Sequence, residues 1–240
     1  GRSTALASFA IQRARAGERV AVVDFDLDAP GIGTLLSADS SGITSPWGVV
    51  DYLVERARGE VPLTDYYHPC ARVAGPGEIK VFPAGTLDAG YAGKLARVDL
   101  EERPDPRTSA LVQLLHEIRS ELAPQWVLFD ARTGLSEPAG QLLSGIAHLH
   151  VLFGTTSEQG WRGLRAVFDR LGRQRVLAGQ PQAEILLVQA MVPATAESAR
   201  LATNAFAERA RQEFTDLYYG EQPEDPGADE FHRRKELLAA

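Results

Sequence analysis

Three stretches of this sequence carry residue types whose order and spacing could do chemistry. Gly1-Arg2-Ser3-Thr4 opens directly into a run with helical spacing of apolar residues. The first-turn N–H groups of a helix have no intrahelical acceptor, and the helix dipole is positive there, so such a start suits an anion. A phosphate fits: the Ser3 hydroxyl would bind a divalent cation beside it and Arg2 would supply positive charge. Ser3 or Thr4 as a plain helix N-cap accounts for the same residues. The second stretch is Val22-Val23-Asp24-Phe25-Asp26-Leu27-Asp28-Ala29-Pro30-Gly31. Carboxylates leave the C-terminal end of an apolar strand, where ligands bind in open α/β sheets. If the strand persists, Asp24 and Asp26 share a face, and their repulsion favours a cation between them. The alternative is a solvated acidic turn with Asp28 capping. The third stretch, Trp126-Val127-Leu128-Phe129-Asp130-Ala131-Arg132-Thr133-Gly134, ends another apolar strand in an acid. Such an acid can hold the water shell of a magnesium ion or simply cap the next turn.

These residues need strands and helices to position them. Apolar periodicity predicts helices over Thr4 to Ala16, Trp47 to Ala57, Thr108 to Leu122, Glu137 to Ile146, Glu158 to Leu177 and Ala196 to Phe214. β-Rich runs predict strands over Arg19 to Phe25, Glu78 to Phe82, Trp126 to Asp130, Ala147 to Phe153 and Glu184 to Ala190. Runs such as Val20 to Val23, Trp126 to Phe129 and Ile185 to Val188 read as central strands covered on both faces. The alternation of helix and strand predicts an α/β fold, a mostly parallel sheet with helices on both faces. Ser37 to Ser45 reads as a surface loop, Leu87 to Pro106 as an irregular excursion, and His68-Pro69-Cys70 as a loop. Residues 1–219 are expected to form one domain. Residues 220–240, with Pro223, Pro226 and four acids up to Asp229, read as an acidic linker and a short terminal helix.

Taken in order, the three stretches resemble the deviant Walker A family of MinD/ParA-type P-loop ATPases. That family's phosphate loop reads Lys-Gly-Gly-x-Gly-Lys-Thr/Ser-Thr, and Gly1 to Thr4 match its end with Arg2 in place of lysine. The family's next strand ends Asp-x-Asp, matched by Asp24-Phe25-Asp26. Its Walker B strand ends Asp-Ser-Pro-Ala-Gly or similar, matched by Asp130 to Gly134. Phe82-Pro83-Ala84 resembles its Leu-Pro-Ala strand end. The resemblance implies a P-loop NTPase whose first strand lies before Gly1, and a magnesium-dependent ATPase that dimerises on nucleotide as a molecular switch. It also implies roles. Gly1 and the backbone after it, with Arg2, would cradle the β-phosphate. Ser3 would ligate Mg2+ and Thr4 would contact the α-phosphate. Asp24 would support the metal and Asp130 would hold it through water. Asp26 would activate the attacking water, and Gly134 would mark switch II. The family's signature lysine, which reaches across the homodimer, would precede Gly1.

Two departures matter. Arginine is larger, planar and forked, so Arg2 is not a conservative replacement for lysine. The stretch where the family reads adenine is Gln189-Ala190-Met191-Val192-Pro193, with Gln189 the one stand-in. These departures motivate an alternative reading, a nucleotide-binding regulatory module with negligible turnover. A phosphatase of the haloacid dehalogenase type, built on Asp24 and Asp26, ranks below both, because Asp-x-Asp-Gly-Thr and a well-placed later lysine are missing.

The 240 residues are enough for a full core. Twenty-five basic against 32 acidic side chains leave a net charge of −7, which disfavours a general grip on nucleic acid or anionic lipid. DNA or membrane binding is therefore not expected. Arg162, Arg165, Arg170, Arg173 and Arg175 read as a solvated helix face, and Phe231 to Leu238 as an ordinary terminal or interdomain helix. His148 and His150 have a chelating spacing without further ligands nearby, so a structural role is favoured. A single cysteine, Cys70, excludes an internal disulfide and fits a cytoplasmic protein. The chain opens on Gly1 and its one methionine is Met191, so a longer chain is expected, with an unidentified protein partner or added domains.

Overall fold

The computed structural model describes residues 1–36, 45, 47–56, 58–70, 73, 75–98, 109–132, 146–176 and 184–219. The chain divides into two compact units, Gly1–Arg132 and Thr133–Ala240.

In the first unit, helix α1 (Arg2–Arg15) leads into strand β1 (Arg19–Phe25). Gly17 joins them at φ +95, a backbone conformation that glycine adopts without steric cost. After β1 come the short helix α2 (Ile32–Leu36), helix α3 (Val49–Arg56), a 3-10 turn (Leu63–Tyr66), and strands β2 (His68–Pro69) and β3 (Glu78–Phe82). Helices α4 (Tyr91–Leu95) and α5 (Ala110–Glu117) follow, with a π-turn over Ile118–Leu122, then strand β4 (Trp126–Ala131). The four strands lie in the order β2-β3-β1-β4. β1 pairs in parallel with both β3 and β4, and only the two-residue edge strand β2 is antiparallel. The expected loop at His68-Pro69-Cys70 is therefore corrected: His68 and Pro69 pair with Val81 and Lys80. Proline is tolerated there because the strand is an edge.

β1 is buried from Val20 through Phe25 because it is a central strand. Val20 and Val22 pack with Ile79 and Val81 against Ala7, Ala10 and Ala14 of α1. Small residues at that spacing let the helix lie close to the sheet. Ala21, Val23 and Phe25 alternate to the opposite face, where Phe25 meets Phe129 edge-on at 5.8 Å between ring centroids.

The start of α3 docks on the segment after β3. Val49 N–H bonds the Pro83 carbonyl at 2.8 Å and Val50 N–H that of Ala84 at 3.0 Å. Gly48 makes this approach possible, since a Cβ there would stand 2.1 Å from the Pro83 oxygen. Gly48→Ala is expected to destabilise the protein by about 2 kcal/mol, the scale of overpacking. A urea midpoint unchanged from that of the parent chain would contradict the close approach.

In the second unit, strands β5 (Leu149–Gly154) and β6 (Glu184–Gln189) pair in parallel, with helices α6 (Glu158–Val176) and α7 (Ala196–Glu213). Trp161, Leu164, Phe168 and Phe206 form the core, with Leu152, Ile185 and Leu187 packed against it. The expectation that Ile185 to Val188 is covered on both faces does not hold, because Leu186 is 52% exposed. An apolar run does not record how many of its faces are packed. Helix α6 uses its charge internally, through Arg165 to Glu213 at 3.1 Å and Arg173 to Asp169 at 3.2 Å.

All but Ile146 of the predicted helix Glu137 to Ile146, nearly all of the Ser37 to Ser45 loop, and the 220–240 linker lie outside the described residues. Among the described residues no helix is long and apolar enough to cross a membrane.

Candidate functional site

The parallel ladder between β1 and β4 sets Asp24 beside Asp130 in register. Register partners on neighbouring strands point to the same face, and Asp24 shares that face with Val20 and Val22, which pack against α1. Both carboxylates are buried, at 1% and 4% exposure. The Ser3 hydroxyl, in the first turn of α1, donates to the Asp130 carboxylate, and the Arg2 guanidinium lies near enough to stabilise its charge. The chain start and both strand-end acids therefore meet at one end of the sheet.

Each carboxylate is under electrostatic load. Burial and then the Asp130 charge push the Asp24 pKa up from 3.8 to about 6, against the N–H groups of Gly31, Gly33 and Asp26. Burial also raises Asp130, with Asp26 adding to the rise and Ser3 and Arg2 opposing it. One oxygen on each acid is buried without a hydrogen-bond partner, Oδ1 of Asp24 and Oδ2 of Asp130. Native structures rarely leave buried carboxylate oxygens unpaired, and a cation is the chemistry that satisfies two of them at once. The donor set of two carboxylates and a hydroxyl, all oxygen, suits magnesium. Among the described residues no three His, Cys, Asp or Glu side chains cluster as a complete metal cage. Magnesium commonly takes only one or two protein carboxylates and completes its shell with water and substrate phosphates.

The remaining site residues are placed as follows. Arg2, Ser3 and Thr4 precede the first α-helical bond, which Ala5 N–H makes to Gly1 at 3.1 Å, so their N–H groups are open to a ligand. A side chain at Gly1 would meet nothing within 4 Å. Asp26 lies just past the end of β1, so the two acids do not sit together in a continuing strand. It opens a turn in which Ala29 N–H reaches its carbonyl at 3.2 Å and its Oδ1 at 3.3 Å. Asp24 also braces this segment, accepting from Gly31 N–H at 3.1 Å. So buried and engaged a carboxylate is poorly placed as a covalent nucleophile. Gly134 lies outside the described residues. Gln189 ends β6, with its amide nitrogen buried and unpartnered.

Sequence reasoning missed the supports of the acidic turn. The Tyr91 hydroxyl donates to the Leu27 carbonyl at 2.8 Å. Burial, followed by Asp24 and other nearby acids, pushes its phenol pKa up, so it stays a donor. Three residues on, Lys94 bonds Asp51 at 2.7 Å, and the other Asp51 oxygen accepts from Gly48 N–H at 3.0 Å. The Asp28 carboxylate pairs with Arg132 at 2.9 Å. No local motif marks these partners.

Solved structures share this fold. A septum site-determining protein MinD from Pyrococcus horikoshii, solved with Mg-ADP, superposes at TM-score 0.55 with 18% identity, covering 99% of this chain and 90% of that one. The fold is that of MinD/ParA-type P-loop ATPases. A plasmid partition protein from Borrelia burgdorferi superposes at TM-score 0.56 with 13% identity over 99% of this chain and 90% of that chain. A ParA family ATPase from Chlorobium tepidum gives 0.50 with 14% identity, over 85% and 74%. No protein-family model matches the chain, and a search of curated proteins gives no match. The expected α/β class with a mostly parallel sheet is borne out.

Proposed function

We propose that this chain is a magnesium-dependent, ATP-binding protein that acts as a dimerising molecular switch of the MinD/ParA type and hydrolyses ATP slowly. The observation that carries the reading is the meeting of Ser3, Asp24 and Asp130 around two buried carboxylate oxygens that lack partners. The MinD structure holding Mg-ADP on the same fold supports the choice of nucleotide and metal.

In this reading Gly1 and the open N–H groups of Arg2, Ser3 and Thr4 hold phosphate oxygens, with Arg2 adding charge. Ser3, Asp24 and Asp130 would hold magnesium, which when bound neutralises phosphate charge and fixes the phosphates' orientation. Asp26, on the turn beside Asp130, orients the attacking water, and its turn is held by Tyr91 through Leu27. Little covalent chemistry is asked of the protein, because phosphoryl transfer depends on positioning and charge neutralisation. Gly134 marks a second segment that responds to nucleotide, and a homodimer forms in the ATP state.

Arg2 favours a second reading, a regulatory module that binds nucleotide without turnover. Its Nε is buried without a partner, and its forked head fills the place of a compact ammonium. Asp26→Ala separates the two. Hydrolysis is expected to fall at least ~10²-fold with ATP binding retained, the scale for losing one positioned group. Unchanged phosphate release, with ATP still bound, would favour the regulator.

A further inference from the structure

The acids at this sheet end outnumber the cations set against them. Among the described residues, Asp24, Asp26, Asp28 and Asp130 have two arginines set against them, Arg2 near Asp130 and Arg132 on Asp28. Lys80 and Lys94 are committed elsewhere, to Glu78 at 3.0 Å and Asp51 at 2.7 Å. A nucleoside triphosphate brings further negative charge; Arg2 stands at the start of α1, and among the described residues Arg132 is the second arginine at this end of the sheet. Arg132 directly follows β4, and Asp28 lies in the turn after β1, so the pair spans two chain segments leaving neighbouring strands at the same edge. Both side chains are about half exposed, at 49% and 50%. Exposed pairs of this kind contribute little and are easily exchanged.

We propose that Arg132 reads the terminal phosphate of the bound nucleotide, with Asp28 holding its guanidinium at the mouth of the site until a γ-phosphate displaces the carboxylate. This inference rests on the nucleotide-binding reading above. A guanidinium forms two parallel charge-assisted bonds to phosphate, a stronger pairing than the single exposed contact it leaves. The exchange frees Asp28 and so alters the turn that carries Asp26, coupling phosphate state to that segment. Adenosine diphosphate lacks the displacing group and leaves the ion pair in place.

The test measures dissociation constants for Mg-ATP and Mg-ADP on the parent chain, Arg132→Ala and Asp28→Ala. Arg132→Ala is expected to weaken ATP ~10-fold or more and ADP less than about twofold. Asp28→Ala, by releasing the guanidinium, is expected to tighten ATP about threefold and leave ADP unchanged. Equal losses for both nucleotides in Arg132→Ala would overturn the inference alone. So would Asp28→Ala weakening ATP as Arg132→Ala does, which marks the pair as a structural brace. A parent chain that binds neither nucleotide would overturn the functional reading and this inference with it.

Discussion

Asparagine at position 130 is expected to cut magnesium-dependent ATP hydrolysis at least ~10²-fold while making the folded protein more stable by about 1 kcal/mol. The two effects have one cause. The Asp130 carboxylate is buried beside Asp24, with one oxygen unpartnered. Its charge is a cost to the apoprotein, and in the proposed reading it serves to hold a cation. Asparagine keeps an oxygen for the Ser3 hydroxyl and removes both the buried charge and its repulsion of Asp24. Steady-state phosphate release and urea denaturation on the same variant read the two effects. Loss of activity together with loss of stability would assign Asp130 a structural role instead.

Metal-free protein is expected to lose stability as pH rises through the range in which Asp24 ionises. Burial and Asp130 hold the Asp24 pKa at about 6 in the folded chain, against 3.8 for an ordinary aspartate. Between those values the folded chain keeps a proton that the unfolded chain has released. The group's contribution to stability therefore falls as pH climbs from 3.8 and is fully lost above about 6. The full span is about 3 kcal/mol, of which roughly 1.4 kcal/mol separates about pH 5 from about pH 7.5. Asp24→Asn should flatten this difference in urea midpoints. Magnesium with ATP, by pairing the carboxylate, should flatten it in the parent chain. A parent profile that rises over the same interval, unaltered by Asp24→Asn, would contradict the assigned load.

Strand β1 was legible because burial on both faces forces a continuous apolar run, whereas β3, Glu-Ile-Lys-Val-Phe, is not such a run. β1 and β3 fall on the expected residues, 19–25 and 78–82. The acids at the ends of β1 and β4 were legible for the same reason, since a charge closing such a run stands out. Helix α4 was not, because Tyr-Ala-Gly-Lys-Leu has no apolar period and carries a glycine inside. Long-range bonds hold it, from Tyr91 to Leu27 and from Lys94 to Asp51. The pairing of Asp28 with Arg132 was equally hidden. The two are 104 positions apart, and their closeness depends on a strand register that local patterns do not encode. Leu186 shows the converse limit: its apolar run predicted cover on two faces, and β6 packs on one.

The most direct measurement is the shift in thermal unfolding produced by magnesium and ATP together, compared across the parent chain, Ser3→Ala and Asp130→Asn. The predicted result is a rise in the parent chain that needs both magnesium and ATP and is lost in both variants, because Ser3 and Asp130 hold one metal–phosphate site. A rise of the same size in all three proteins, or none in the parent chain, would contradict it.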